Sequence, residues 1–405
     1  DGRPTELVHR RWQRFGASGA KLIWGGEAYA VDADGRANPN QLARNPHTDA
    51  DLAALHSSLL SSHEERFNET GDLLTGLQLT HSGRFSCPQG EPAPRTAFRH
   101  PVLDARVGIT SDSGLLSDAE LDDLIGHYVH VARSARDAGF GFVDITACHG
   151  YLGHEMLSAY ERPGVYGGDL DGRARFLLRS IEAVRSAAPE LAIGVRLSIF
   201  DQHPFASNAE GVGCAQPSEH RPFGASASGL DVDLAETHTL LDKIEAAGVT
   251  LLCATAGSPY YNPHVQRPAF YPPSDGYSPP EDPLVGVARQ LRATAELKQQ
   301  HPSLCIVGSA YSYLQEWFPN VAQAIVRRGD ADLVGLGRMA LSYPNLPDDV
   351  LSGRALERSL VCRTFSDCTT APRNGLISGC YPIDAFYKRR PEAEALANAK
   401  KRMGS

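Results

Sequence analysis

Gly139-Phe-Gly-Phe-Val-Asp-Ile-Thr-Ala-Cys-His-Gly-Tyr-Leu-Gly-His154 opens on a glycine, passes through a brief apolar run and stops in a cluster of proton-handling groups. The glycine marks a helix end, because the residue after a helix often takes positive φ. Phe142 to Ile145 is too short for a helix and has the bounds of a parallel strand covered on both faces. Thr146, His149 and Tyr151 then stand at or just past the carboxyl end of that strand. In barrel enzymes the loops converge there around one concave surface. By itself the stretch is equally a strand-to-helix turn with incidental polar residues.

The same order of helix, glycine, strand and polar loop recurs. Gly19-Ala-Lys-Leu-Ile-Trp24, Gly248-Val-Thr-Leu-Leu-Cys-Ala254 and Gly329-Asp-Ala-Asp-Leu-Val-Gly-Leu336 repeat it, and Gly76-Leu-Gln-Leu-Thr80, Leu191-Ala-Ile-Gly-Val-Arg-Leu197 and Leu304-Cys-Ile-Val-Gly308 add three strands. Ser117 and Glu120 form a capping box before Leu121, Leu124, Ile125, Tyr128, Ala132 and Ala135, which recur at helical spacing. Such alternation implies a parallel sheet covered by helices. Seven strands are visible, and the chain starts abruptly at Asp1-Gly-Arg-Pro, with neither an initiator methionine nor a signal-like region. The expectation is an α/β fold, a (β/α)8 TIM barrel whose first strand is missing from the given sequence. Residues 81–116 and 201–231 are long enough to act as lids or binding loops. The barrel is assigned to residues 1–350 and a C-terminal extension, with three cysteines and a charged tail from Lys388 to Ser405, to residues 351–405.

Composition narrows the function. A chain of 405 residues at 42% hydrophobic can bury a large core, and no run approaches the roughly 18 apolar residues of a membrane span. A net charge of -9 argues against nucleic-acid partners, which are held by clustered Lys and Arg. Eight cysteines, five of them scattered, do not resemble a secreted disulfide framework, so a cytoplasmic location is expected.

The run His149-Gly-Tyr-Leu-Gly-His-Glu155, followed by Arg162-Pro-Gly-Val-Tyr-Gly-Gly-Asp-Leu-Asp-Gly-Arg-Ala-Arg-Phe176, resembles the old yellow enzyme family, nearest its 2,4-dienoyl-CoA reductase and trimethylamine dehydrogenase branch. Leu77-Gln-Leu-Thr-His-Ser-Gly-Arg84, Gly194-Val-Arg-Leu-Ser198 and Leu336-Gly-Arg338 fall in the matching order at strand ends. The resemblance implies a barrel that binds FMN without a covalent link. It assigns flavin contacts to Ala28, Gln78 and Arg196, and the phosphate to Gly308, Ser309, Gly337 and Arg338. Gln78 offers a donor and an acceptor to the pyrimidine edge, Arg196 a positive charge by N1 and O2, and glycines a close backbone approach. Tyr151 matches the tyrosine that protonates the substrate, and His149 one member of a pair that holds the substrate oxygen.

Two departures stand out. Thr146 replaces the histidine that many ene-reductases place in that pair, leaving a clamp of one imidazole and one hydroxyl; Tyr260, Tyr261 and His264 could add substrate contacts or simply pack. Cys362, Cys368 and Cys380 lie where the branch holds an iron-sulfur cluster, with Phe365 in place of the fourth cysteine, so the site is either a weak metal site or a relic.

The sequence therefore points to an FMN-dependent oxidoreductase that reduces an activated C=C bond with NAD(P)H. The alternatives are a dehydrogenase, desaturase or amine N-demethylase passing electrons to an external protein, and a non-catalytic flavin-binding subunit. A small-molecule substrate and a homo-oligomer are expected, with neither nucleic acid nor membrane as partner.

Overall fold

The computed structural model describes residues 1–403, so Gly404 and Ser405 of the charged tail lie outside the described residues. Its strands are β1 (Leu22–Ile23), β2 (Ala28–Ala30), β3 (Leu74–Thr80), β4 (Phe142–Ile145), β5 (Ala192–Ser198), β6 (Phe205–Ser207), β7 (Gly213–Ala215), β8 (Leu251–Thr255), β9 (Cys305–Gly308) and β10 (Leu333–Val334). All but β6 and β7 form one curled sheet in the order β1-β3-β4-β5-β8-β9-β10, with β2 also on β3, and every pair in it is parallel.

β1 and β2 share one edge of β3. Leu22 pairs with Leu74 and Ile23 with Thr75, then Ala28 with Gln78, so Trp24 to Glu27 bulge over two residues of the partner. They count as one strand position, which gives the seven positions legible in the sequence. Among the described residues β10 does not pair with β1 or β2, so the curl stays open between them.

The helix-ending glycines do what the sequence asks of them: Gly139, Gly248 and Gly329 have φ of 92°, 82° and 74°. Helix Asp118–Asp137 begins with the complete Ser117–Glu120 capping box. Its inner face, from Leu121 through Tyr128, Val131 and Ala135, is buried, and Tyr128 meets Phe176 of helix Leu170–Ala187 edge-on at 6.0 Å. Leu252 on β8 is wholly buried in the same core, where truncating a leucine to alanine typically costs about 2–5 kcal/mol. No described helix is long and apolar enough to cross a membrane.

The two long segments carry more structure than their composition suggests. Residues 201–231 contain the antiparallel hairpin β6–β7, and 81–116 contain helix Pro101–Val107 with proline in its first turn. After residue 350, Ala371, Tyr381, Tyr387 and Leu396 form a small apolar cluster of their own.

Candidate active site

A cavity of about 1720 Å³ runs the length of the sheet. Leu22, Leu74, Leu251, Cys305 and Leu333 line it at strand starts, and Gln78, Arg196, Thr255, Ser309 and Gly335 at or beyond strand ends. Ligand pockets usually enclose about 300–1,000 Å³, and the excess here is the open width beside β1 and β10. The polar wall lies at the carboxyl ends, where barrel chemistry is built.

The wall is organised from behind by Asp144, a fully buried carboxylate on β4. Its Oδ2 accepts from Gln78 Nε2 at 2.8 Å and from Thr146 Oγ1 at 3.1 Å, and its Oδ1 accepts from the Arg196 backbone N–H at 2.6 Å. Burial pushes its pKa up, opposed by the Gln78 amide, the Arg196 N–H and the Arg196 charge. With one N–H of Gln78 spent on Asp144, the carbonyl oxygen and the other N–H are left for a ligand. Arg196 projects from the same sheet with its Nε buried and unpartnered.

Thr146 is therefore not the clamp group the sequence suggested. Its hydroxyl is buried, committed to Asp144, and absent from the cavity wall. Asp144 and Thr146 are two apart, so both point to the same side of the strand direction, and the nearest strong acceptor takes the hydroxyl.

His149 sits in a left-handed conformation, φ 65°, held by its N–H on Ser198 Oγ at 3.0 Å and by the Ser258 hydroxyl on its carbonyl at 2.7 Å. Its Nε2 lies 3.1 Å from Thr255 Oγ1 and 3.3 Å from Gln266 Nε2, so it reaches the cavity through two lining residues. Burial, then the charge of Arg196, holds its pKa well below the ordinary imidazole range, which leaves it neutral. Gly150 follows at φ 78°; a Cβ there would come within 2.8 Å of Ser258 Oγ and the Tyr261 ring, so only glycine fits.

Tyr151 lines the cavity with its hydroxyl 3.1 Å from that of Tyr260. Burial, then Tyr260, raises its pKa well above the usual phenol value, so it carries its proton at neutral pH. Tyr260 stacks on Phe85 at 4.1 Å, with the Arg373 guanidinium 5.5 Å from its ring. Tyr261 and His264 are directed elsewhere. Tyr261 donates to Asp201 Oδ2 at 2.5 Å, His264 Nδ1 lies 2.8 Å from Tyr277 Oη, and neither lines the cavity. Both pack.

At the other end Ser309, Gly337 and Arg338 line the cavity, while Gly308 closes β9 just behind Ser309 and Ala28 is paired beside Gln78 without reaching the wall. Nothing lies within 4 Å of where a Gly337 Cβ would stand, and Arg338 Nη1 is buried without a partner. The sequence reading passed over Gln266, Arg267 and Arg373, which also form part of the wall, and gave Cys368, likewise on the wall, a metal-binding role instead.

The three cysteines lie near enough to feel one another's charge but form no metal-holding group among the described residues. Cys368 faces the cavity, Cys380 faces a separate small pocket with Arg10, Arg14 and Asp384, and the Cys362 sulfur accepts from the Thr364 N–H. Phe365 turns outward onto Tyr271, ring centroids 5.3 Å apart, between two residues of positive φ, Thr364 and Ser366. Among the described residues no three His, Cys, Asp or Glu side chains are placed to hold a metal ion.

The oriented Gln78 amide and Arg196 at one end, and the orphaned Arg338 donor with the open Gly337 at the other, suit a polar heterocycle that carries a phosphate, as FMN does. A wall of this kind fits the class of flavin-dependent oxidoreductases.

The sequence profile of the NADH:flavin oxidoreductase / NADH oxidase family matches residues 17–212. An NADPH dehydrogenase of Geobacillus sp. (strain WCH70) is 28% identical over 344 residues, covering 84% of this chain and 81% of its own. Among solved structures, an old yellow enzyme homologue from Zymomonas mobilis superposes with TM-score 0.60 at 20% identity, over 90% of this chain and 88% of its own. A 2-naphthoyl-CoA reductase does so with TM-score 0.66 at 17% identity over 98% of this chain, which spans 53% of that longer protein. Residues 17–212 are thus similar to the NADH:flavin oxidoreductase / NADH oxidase family, and with the similarity to the NADPH dehydrogenase along most of both chains the protein is an enzyme of NAD(P)H-dependent oxidoreduction.

Proposed function

We propose that this enzyme reduces an electron-poor C=C bond of a small molecule, with the hydride drawn from NAD(P)H and the proton from Tyr151. The observation that carries the reading is the protonated Tyr151 phenol on the cavity wall, 3.1 Å from the hydroxyl of Tyr260. FMN, held by Gln78, Arg196 and Arg338, supplies the reversible hydride chemistry that links NAD(P)H to the alkene. Tyr151 delivers its proton to the α carbon, and Tyr260 stands next to it as the group able to pass a proton back. The Gln266 amide on the cavity wall supplies an N–H donor to the oxygen that activates the alkene, in place of the Thr146 hydroxyl, and neutral His149 behind it, 3.3 Å from the same nitrogen, orients that amide.

The test is anaerobic rapid mixing in two stages. NADPH should bleach the flavin absorbance in wild type and in Tyr151→Phe alike, and cyclohexenone should then restore it in wild type but far more slowly in the variant. Bleaching by a saturated substrate or an amine but not by NADPH would overturn the proposal in favour of a dehydrogenase.

A further inference from the structure

The cavity wall holds a second guanidinium that no sequence motif marks. Arg267 follows the short helix Pro263–Gln266 and lines the cavity. Its Nη1 donates to Thr369 Oγ1, while its Nε and Nη2 are buried without a partner. Arg338 approaches from the end of β10, and its Nη2 donates to the carbonyl of Pro268, the residue next to Arg267, at 3.1 Å. Its Nη1 is also without a partner. Asp275, the acidic side chain that acts on Arg267, is taken by Arg373, whose own charge adds to the repulsion.

Two buried like charges side by side, neither in a salt bridge among the described residues, are costly unless a ligand neutralises them. Burial, then the charge of Arg338, depresses Arg267 to about 9, the sign of an absent counter-charge. Three orphaned N–H positions and two positive charges match a phosphate monoester, with three terminal oxygens and up to two negative charges, better than a carboxylate.

We propose that Arg267 and Arg338 form one two-guanidinium site for the phosphate of FMN, with Arg267 a binding residue in its own right. This rests on the flavin reading above. Such a site makes the enzyme select FMN over riboflavin, and it ties the loop after β8 and the Thr369 segment to the bound phosphate.

The test is titration of flavin-free enzyme with FMN and with riboflavin, followed by flavin fluorescence, for wild type, Arg267→Gln, Arg267→Lys and Arg338→Gln. Arg267→Gln is expected to weaken FMN binding about 10- to 100-fold, the range for losing charge-assisted hydrogen bonds, and to leave riboflavin binding unchanged. Arg267→Lys, which keeps the charge without the fork, falls between. The thermal midpoint of flavin-free Arg267→Gln should equal or exceed that of wild type, since a repulsion is relieved. Equal losses for FMN and riboflavin, or a lowered midpoint, would make Arg267 merely structural and overturn the proposal. Unchanged FMN affinity with a raised KM for NADPH would move the phosphate to the nucleotide and overturn it too. Binding of neither flavin by wild type would overturn the flavin reading itself, a separate outcome.

Discussion

Asp144→Asn probes how the flavin wall is held. The carboxylate takes bonds from Gln78 Nε2 and Thr146 Oγ1 on one oxygen and from the Arg196 N–H on the other. An asparagine keeps one oxygen, which can still serve Gln78 and Thr146, and turns its NH2 toward the Arg196 N–H. That buried backbone donor is then unpaired, at about 1–3 kcal/mol, and the two remaining bonds lose charge assistance, at about 1 kcal/mol each. Relief from burying a charge, which already raises the pKa of Asp144, offsets part of this. The net expectation is about 2 kcal/mol of lost stability in flavin-free protein and about a tenfold weaker FMN affinity as Gln78 loses its orientation. Urea unfolding followed by far-UV circular dichroism and FMN titration read the two effects separately. If Asp144→Asn unfolds at the wild-type urea concentration and binds FMN as tightly, the carboxylate does not organise the wall.

Tyr151→Phe is expected to slow reoxidation of the reduced enzyme by an enone about 100-fold or more without changing its reduction by NADPH, read by stopped-flow absorbance. Thr146→Val removes a hydroxyl that serves Asp144 and not the cavity, so it should cost about 1 kcal/mol in urea unfolding and leave the KM for an enone unchanged; a raised KM would return Thr146 to the clamp. His81 and His264 are both depressed to about 4, by burial first. Their folded forms stay neutral while the unfolded chain takes up protons below about 6.5, so stability is full above that pH and declines toward pH 4, by up to about 3 kcal/mol per histidine. A urea midpoint that is flat between pH 7 and 4.5, or an equal decline in His264→Gln, would contradict this.

Local physics made part of the molecule readable. Gly139, Gly248 and Gly329 needed only their own φ, and the Ser117–Glu120 cap only residues three apart. Tyr151 was legible because its place past β4 follows from the strand it ends. What failed depended on the path of distant segments. Tyr260 and Tyr261 are adjacent, yet one faces the cavity and the other Asp201, a choice made by the loop after β8. Strand β2 and hairpin β6–β7 are three residues per strand, too short for any period to register. The direction of Thr146 was partly recoverable, since a lone aspartate in an apolar strand two residues earlier already advertised an acceptor. Arg267 gave no signal, because its neighbour Arg338 is distant in sequence.

The unpartnered N–H groups of Arg267 and Arg338 also bear on the life of the protein in a cell. A wall that repels itself until filled makes the vitamin-derived cofactor part of the folding equilibrium, and free FMN at 100 times its dissociation constant adds about 2.7 kcal/mol to stability. Chains made during riboflavin shortage will open more often and be cleared by proteases, so the amount of this enzyme will follow flavin supply even when its synthesis does not change.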